Sequence, residues 1–345
     1  MSEDQRVFLR GLDSATYGLG KYREQQRSLP RVVRAGTVTD DATVGHSGDS
    51  DEGKSKTYWM LGPGDDNFLS QTLQVHFVEL MPGGENHGHG HQNEAHCYIL
   101  EGNGYEIHDG QRYEWEKDDL VIVHTDSKHK HYNRSQTERA LALVMKAKTT
   151  WMVLGLWQQG RSASFDDASK FGPREDWSQL WTPGWEKQKK VIKPSDTKWE
   201  DTKDGHVRVI LSPQRTDART HSLDLYQQEI QPGGRSGKHW HMADEAQYII
   251  SGSGYSLQWD VEAEIDDKYY ARVAKEPTRW DFNTGDLVYV PQNTIHQTVN
   301  SGKDPVVFVS AQNRVFKHVG YDKVVHLEPA SAGATEARTP VGATR

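Results

Sequence analysis

Cysteine, basic clusters and long apolar runs are all scarce in this chain, and each scarcity excludes a class of protein. Cys97 is the only cysteine among 345 residues, so no intrachain disulfide can form, which fits a reducing compartment. No apolar run approaches the roughly 18 residues that a membrane-spanning helix needs. The stretch from Met1 to Arg10 has no apolar segment after its charges, so no secretory leader is expected and the location read from the sequence is cytoplasmic. A formal net charge of -8 with no basic block leaves nothing to neutralise phosphates, and nucleic acid is not an expected partner.

What is present points to strands. Hydrophobic residues make up 34% of the chain, enough for a buried core but few for a helical bundle, while 31 Gly and 13 Pro favour short strands joined by tight turns. The length suggests about two domains. The count that stands out is 17 histidines, most of which the composition alone would place as solvated or hydrogen-bonded imidazoles.

One run concentrates them. From Gly233 to Glu245 the chain reads Gly-Gly-Arg-Ser-Gly-Lys-His-Trp-His-Met-Ala-Asp-Glu, closing at Gly252, and His296 follows the segment Gly285 to Pro291. His239 and His241 are two residues apart, so on an extended strand both point to one face. Glu245 opens the next strand and His296 arrives from a further one. Histidines plus one carboxylate, with positions left open on the ion, is the donor type of non-heme Fe(II) oxygenases.

The run has a copy. Gly83 to Gly102 lies on Gly233 to Gly252 at a constant offset of 150 without a gap, placing His89 on His239, His91 on His241 and Tyr98 on Tyr248. Ala95 falls on Glu245, so the first copy lacks the carboxylate. Downstream, Asp118 to Val123 and His129 to Asn133 match Gly285 to Val290 and His296 to Asn300 at an offset of 167, leaving 17 extra residues between Trp259 and Phe282. They read as a hairpin extension or lid. His87, Glu94, His96, His124 and His131 crowd the first copy. By strand alternation Cys97, matched to Gln247, points inward and His96 outward. The segment from Gln71 alternates, Leu73, Val75, Phe77 and Glu79 opposing Gln74, His76 and Val78, and reads as a half-buried strand.

Each copy resembles the two-part cupin signature of Gly, His-x-His, Glu and Gly followed by Gly, Pro and a third His; the glycine expected between Pro291 and His296 is Asn293. The resemblance covers residues 68–148 and 205–318. It implies an all-β bicupin, two jelly-roll barrels each able to hold a metal near one mouth. The resulting division is an irregular N-terminal arm (1–67) with Tyr17 and Tyr22 as anchors and a flexible acidic loop, a first barrel (68–148), a connector (149–204), a second barrel (205–328) and a disordered tail (329–345). The connector carries Trp151, Trp157, Trp177, Trp181, Trp185 and Trp199, read as indoles that cement the barrels, with a ring-stacking substrate site as the alternative.

The resemblance extends to gentisate, salicylate and hydroquinone ring-cleaving dioxygenases. It implies an Fe(II) enzyme, with Mn(II) or another divalent ion as alternatives, acting on a small aromatic substrate with O2. The favoured ligands are His239, His241, Glu245 and His296. His89, His91 and His129 form a second candidate set, since the gentisate branch uses three histidines. Gln247, Tyr248 and Gln297 are candidates to orient substrate or O2, against ordinary core packing for each. The resemblance also implies a homo-oligomer, or a hetero-oligomer with a small partner subunit. Oxalate decarboxylase-like or quercetinase-like chemistry, and a storage or sugar-binding bicupin, are the other classes kept open.

Overall fold

The computed structural model describes residues 20–35, 39–40, 54–61, 70, 72–156, 159–160 and 172–333. Four antiparallel sheets form two barrels, each a pair of sheets closed over an apolar interior. In the first barrel the inner-sheet strands Leu120–Val123, Ala95–Glu101, Ala140–Lys146, Gln74–Leu80 and Ser55–Leu61 lie side by side. Its second sheet carries His89–His91, Ser127–Asn133, Asn103–His108 and Gln111–Glu116. The second barrel repeats this with Leu287–Val290, Glu245–Ser251, Val306–Asn313, Leu223–Ile230 and Gly205–Leu211 on one sheet. Lys238–His241, Thr294–Asn300 and the long Ser253–Ile265 lie on the other.

Leu223–Ile230 shows why these segments extend. Leu223 and Leu225 are buried between the barrels while Tyr226 and Gln228 turn the other way, a period of two that suits a pleated strand. Gln74–Leu80 differs from the half-buried strand expected there. Val75 and Phe77 join the core between the barrels, and His76 is buried on the opposite face, so both faces are covered.

The turns obey backbone sterics at the signature glycines. Gly102 and Gly252 sit at φ 83° and 88°, and a Cβ there would meet the carbonyl oxygens of Arg139 at 2.8 Å and Pro305 at 2.7 Å. Asn293, in place of the expected glycine, is also left-handed at φ 56°, a conformation asparagine tolerates through its short polar side chain.

The barrels meet through their inner sheets. Leu61, Val75, Leu143 and Met145 of the first pack with Leu211, Leu225, Val309 and Ala311 of the second in one cluster, while separate clusters fill the two barrels. Edge strands are exchanged across this contact. Val32–Val33, which precedes the first barrel, pairs with Leu287–Val290 of the second, and Val191–Ile192, which precedes the second, pairs with Leu120–Val123 of the first. Arg31 anchors the first exchange by donating to Gln258 at 2.9 Å and Asp260 at 2.7 Å.

Elements therefore cross the expected boundaries. Ser55–Leu61 belongs to the first barrel although it falls in the arm, because it pairs with Gln74–Leu80 over most of its length. Residues 329–333 fall in the expected tail, yet Ser331 exchanges both backbone hydrogen bonds with Arg235 at 3.0 and 3.1 Å. The acidic loop, Tyr17, Trp157, the side chains of Tyr22 and Trp185, and residues 334–345 lie outside the described residues. The insertion is a hairpin, Tyr269–Val273 folding back on the end of Ser253–Ile265.

None of the indoles whose side chains are described joins the cluster between the barrels, the role expected of them. Trp151 is buried, but Trp177 is half exposed and Trp199 stacks on His206 of the neighbouring strand at 4.9 Å. Aliphatic side chains of the inner sheets hold the barrels together instead. No helix among the described residues is long and apolar enough to cross a membrane.

Candidate metal centres

In the second barrel Lys238–His241 pairs with Thr294–Asn300 so that His239 lies opposite His296. Their ring centroids are 4.2 Å apart, and His241 lies 5.4 and 5.0 Å from the two rings. The donor atoms of His239, His241, Glu245 and His296 all fall within 4.8 Å of one another, and all four residues are buried. Each imidazole is fixed through Nδ1, which donates to the carbonyl of Gly237 at 3.0 Å, Ala243 at 2.9 Å or Thr294 at 3.2 Å. Tying Nδ1 to the backbone leaves Nε2 as the free donor toward the centre.

Glu245 is held more elaborately. Its Oε1 accepts from Tyr226 Oη at 2.5 Å, Ser310 Oγ at 2.6 Å and Gln247 Nε2 at 2.8 Å. Its Oε2 faces His241 Nε2 at 3.0 Å and His296 Nε2 at 3.5 Å, with Gln312 Nε2 donating at 2.9 Å. Burial opposes ionisation of this carboxyl, yet the bonds from His241 and His296 hold it well below the usual carboxylate range. Burial and the neighbouring His296 push His239 down to about 4. Three imidazoles and one carboxylate, converging in a buried space, are the donor set a divalent transition metal takes. The residues fit such an ion.

The first barrel repeats the histidine frame. His89, His91 and His129 converge within 4.8 Å, and their Nδ1 atoms meet the carbonyls of His87 at 3.1 Å, Asn93 at 2.6 Å and Ser127 at 3.3 Å. Burial, then the charges of His89 and His91, pushes His129 well below the usual imidazole range. The difference lies around the missing carboxylate. Strand register matches His76 opposite Val144 to Tyr226 opposite Ser310, and Gln74 opposite Lys146 to Asp224 opposite Gln312. Every group outside the histidine set that holds Glu245 is thus replaced: Tyr226 by His76, Ser310 by Val144, Gln312 by Lys146, and Gln247 by Cys97.

The candidate orienting residues separate. Gln247 faces the centre, donating to Glu245 and accepting from Thr298 Oγ1 at 3.4 Å, so it positions the Glu245 carboxylate. Tyr248 is on the opposite face of the strand and packs edge-on to Phe77 of the other barrel at 5.7 Å, away from the centre. Gln297 faces away from His296 and spends its amide on the Ser236 carbonyl at 3.0 Å. Among the residues crowding the first copy, Cys97 and His131 line an interior cavity of about 30 Å³. His96 and Glu94 turn to the inter-barrel side, and His124 meets Lys190 at 3.1 Å.

Sequence reasoning missed Tyr226, Ser310, Gln312 and Asp204. Asp204 reaches both His239 Nδ1 at 3.5 Å and His326 Nδ1 at 3.1 Å at the rim of the second centre. A signal existed for two of them: Ser310 and Gln312 are polar residues two apart, on one face of the strand Val306–Asn313 whose first four residues are all apolar.

Two cupin family models match the chain, a cupin-domain model over residues 76–146 and a cupin model over residues 201–321. The protein belongs to the cupin family, and its two matched units make it a bicupin. Among solved structures it is similar to oxalate decarboxylase from Bacillus subtilis, at 15% identity over 87% of this chain and 78% of that chain, with a TM-score of 0.56. It is also similar to the vicilin from Solanum melongena, at 13% identity over 84% of this chain and 85% of that chain, with a TM-score of 0.56. At these identities the likeness is one of fold. A search among curated proteins gives no match.

Proposed function

We propose that the protein is a metal-dependent oxidoreductase that opens a phenolic or hydroxybenzoate-type ring with O2, both oxygen atoms ending in the product, with the chemistry at the second centre. When bound, an Fe(II) ion would supply Lewis acidity and a one-electron couple, with open positions for both reactants. His239, His241 and His296 would hold it through Nε2 and Glu245 through Oε2. Tyr226, Gln247 and Ser310 fix the rotamer of Glu245 by occupying its other oxygen, so the donor set is arranged before a metal enters. The burial of all four donors keeps bulk water off the centre.

The observation that carries this reading is the inequality of the two centres. A bicupin kept only for storage or binding has no need of a carboxylate saturated by buried donors on one side. The oxalate decarboxylase-like alternative is expected to keep that carboxylate in both barrels, which Ala95 contradicts. Similarity in fold to an oxalate decarboxylase nonetheless favours a second reading, Mn(II)-dependent chemistry on a small dicarboxylate.

Metal analysis of the purified protein, followed by oxygen uptake with gentisate, hydroquinone, salicylate and a flavonol after Fe(II) loading, separates the two. Oxygen consumption that depends on one of the phenols is the expected result. Stoichiometric manganese with no oxygen consumption on any phenol, and CO2 release from oxalate, would overturn the dioxygenase reading in favour of the second.

A further inference from the structure

The first barrel has not simply lost a ligand. Where the second centre has Glu245 with Gln312 beside it, the first has Ala95 with Lys146. Lys146 continues the inward face of Ala140–Lys146 below Ala142 and Val144, both of which line the interior cavity. It is 5% exposed and has no ion-pair partner among the described residues. Its charge acts on Cys97 and His131, which line the same cavity. Burial lowers its ammonium to about 8, which leaves it charged at neutral pH.

A second buried group without hydrogen-bond partners lies beside His131. Glu106 is fully buried, lies 3.5 Å from His131 Nδ1, and both its oxygens lack a hydrogen-bond partner. Burial raises its carboxyl well above the usual range. The second centre carries a protein carboxylate; the first has Ala95 in its place and the Lys146 ammonium at the position matched to Gln312. A cation in a largely buried setting is stabilised by an anion beside it.

We propose that the first centre is built to take a small carboxylate, an exogenous carboxylate occupying the position that Glu245 fills in the second barrel, with Lys146 as its counter-ion. The room that the Glu245 side chain takes in the second barrel, and that Ala95 leaves in the first, limits the ligand to a small carboxylate. This inference stands independently of what the second centre catalyses.

The test uses full-length protein in which His241→Ala and His296→Ala have emptied the second centre, loaded with Co(II) and titrated with acetate while the visible ligand-field bands are recorded. Acetate should shift the bands saturably. Lys146→Gln should weaken acetate at least about tenfold with Co(II) uptake unchanged, and Lys146→Arg should keep most of the affinity. Ala95→Glu should retain Co(II) and abolish the acetate response, its own carboxylate having filled the position. If the emptied protein does not fold, the same titration on the unmodified chain, with and without Lys146→Gln, reads the share of the response that belongs to the first centre. Failure of Co(II) to bind there, no response to acetate, a response unaltered by Lys146→Gln, or a response to phosphate and not to acetate each overturns the proposal.

Discussion

Glu94 of the first barrel accepts from both the amide and the hydroxyl of Ser222 in the second, at 2.8 and 2.6 Å. The reverse contact exists as well. Asp244, at the position matched to Glu94, accepts from the amide of Thr72 at 3.1 Å and from the Thr72 hydroxyl, and Thr72 is matched to Ser222. Each barrel thus places a buried carboxylate beside its own metal motif and uses it to cap the chain just before the other barrel's inner strand.

Removing that cap should cost stability rather than metal. Ser222→Ala takes away one donor to a fully buried carboxylate, an expected loss of about 1–3 kcal/mol. Glu94→Gln should cost a comparable amount, and a double-mutant cycle should show coupling between them. Denaturant midpoints measure this. Additive losses would show that the two side chains do not act as a pair.

Tyr226→Phe leaves the ring to pack near Phe308, 6.3 Å away, and deletes only the hydroxyl that orients Glu245. Metal affinity at the second centre should fall about 10- to 100-fold, read by competition with a chromophoric chelator, while the melting temperature of the metal-free protein changes little. An unaltered affinity would mean that Gln247 and Ser310 suffice to hold the carboxylate.

Glu245→Ala or His296→Ala should lower metal content by the share of the second centre and abolish turnover. His89→Ala or His129→Ala interrogates the first centre separately. Unchanged turnover in the latter pair would confine the chemistry to the second barrel; lost turnover would give the first barrel a part in it.

Acid should destabilise the fold through imidazoles that are not metal donors. Burial pushes His96 down from 6.5 to about 4 and His124 from 6.5 to about 2, so both are neutral when folded and take up a proton on unfolding. Their contribution is intact above pH 6.5 and is lost as the pH falls toward the folded values, each by up to about 1.4 kcal/mol per pH unit. Urea midpoints between pH 7.5 and 4.5 should show this slope, and His96→Leu should flatten it; an identical slope would place the acid sensitivity elsewhere.

The residues that converge in the two candidate centres were legible because they obey simple spacings. His239 and His241 share a face by alternation, and the gapless offset of 150 makes His89 and His91 their counterparts. Alternation also put Cys97 inside and His96 outside. What covers an outward face is a different question. Tyr248 follows Glu245 closely in the chain, yet a period of two sends it to the other barrel, where Phe77 meets it. Trp residues are conspicuous in the connector but irregularly spaced, and no local pattern says that the aliphatic inner sheets would supply the contact instead. Tyr226 and Gln312 converge on Glu245 from strands far apart in sequence, which only pairing register reveals.

The exchange of Val32–Val33 and Val191–Ile192 means that the chain cannot be divided into two self-sufficient proteins. A cut in the connector ahead of Val191 would send each fragment off with a strand shaped for its neighbour and leave Leu120–Val123 and Leu287–Val290 with bare backbone edges, ready templates for stray pairing. Fragments expressed apart should aggregate, whereas fragments expressed together should complement one another. The duplicated barrel is therefore inherited as a couple, and its two unequal centres are free to diverge in chemistry because neither can be lost from the fold alone.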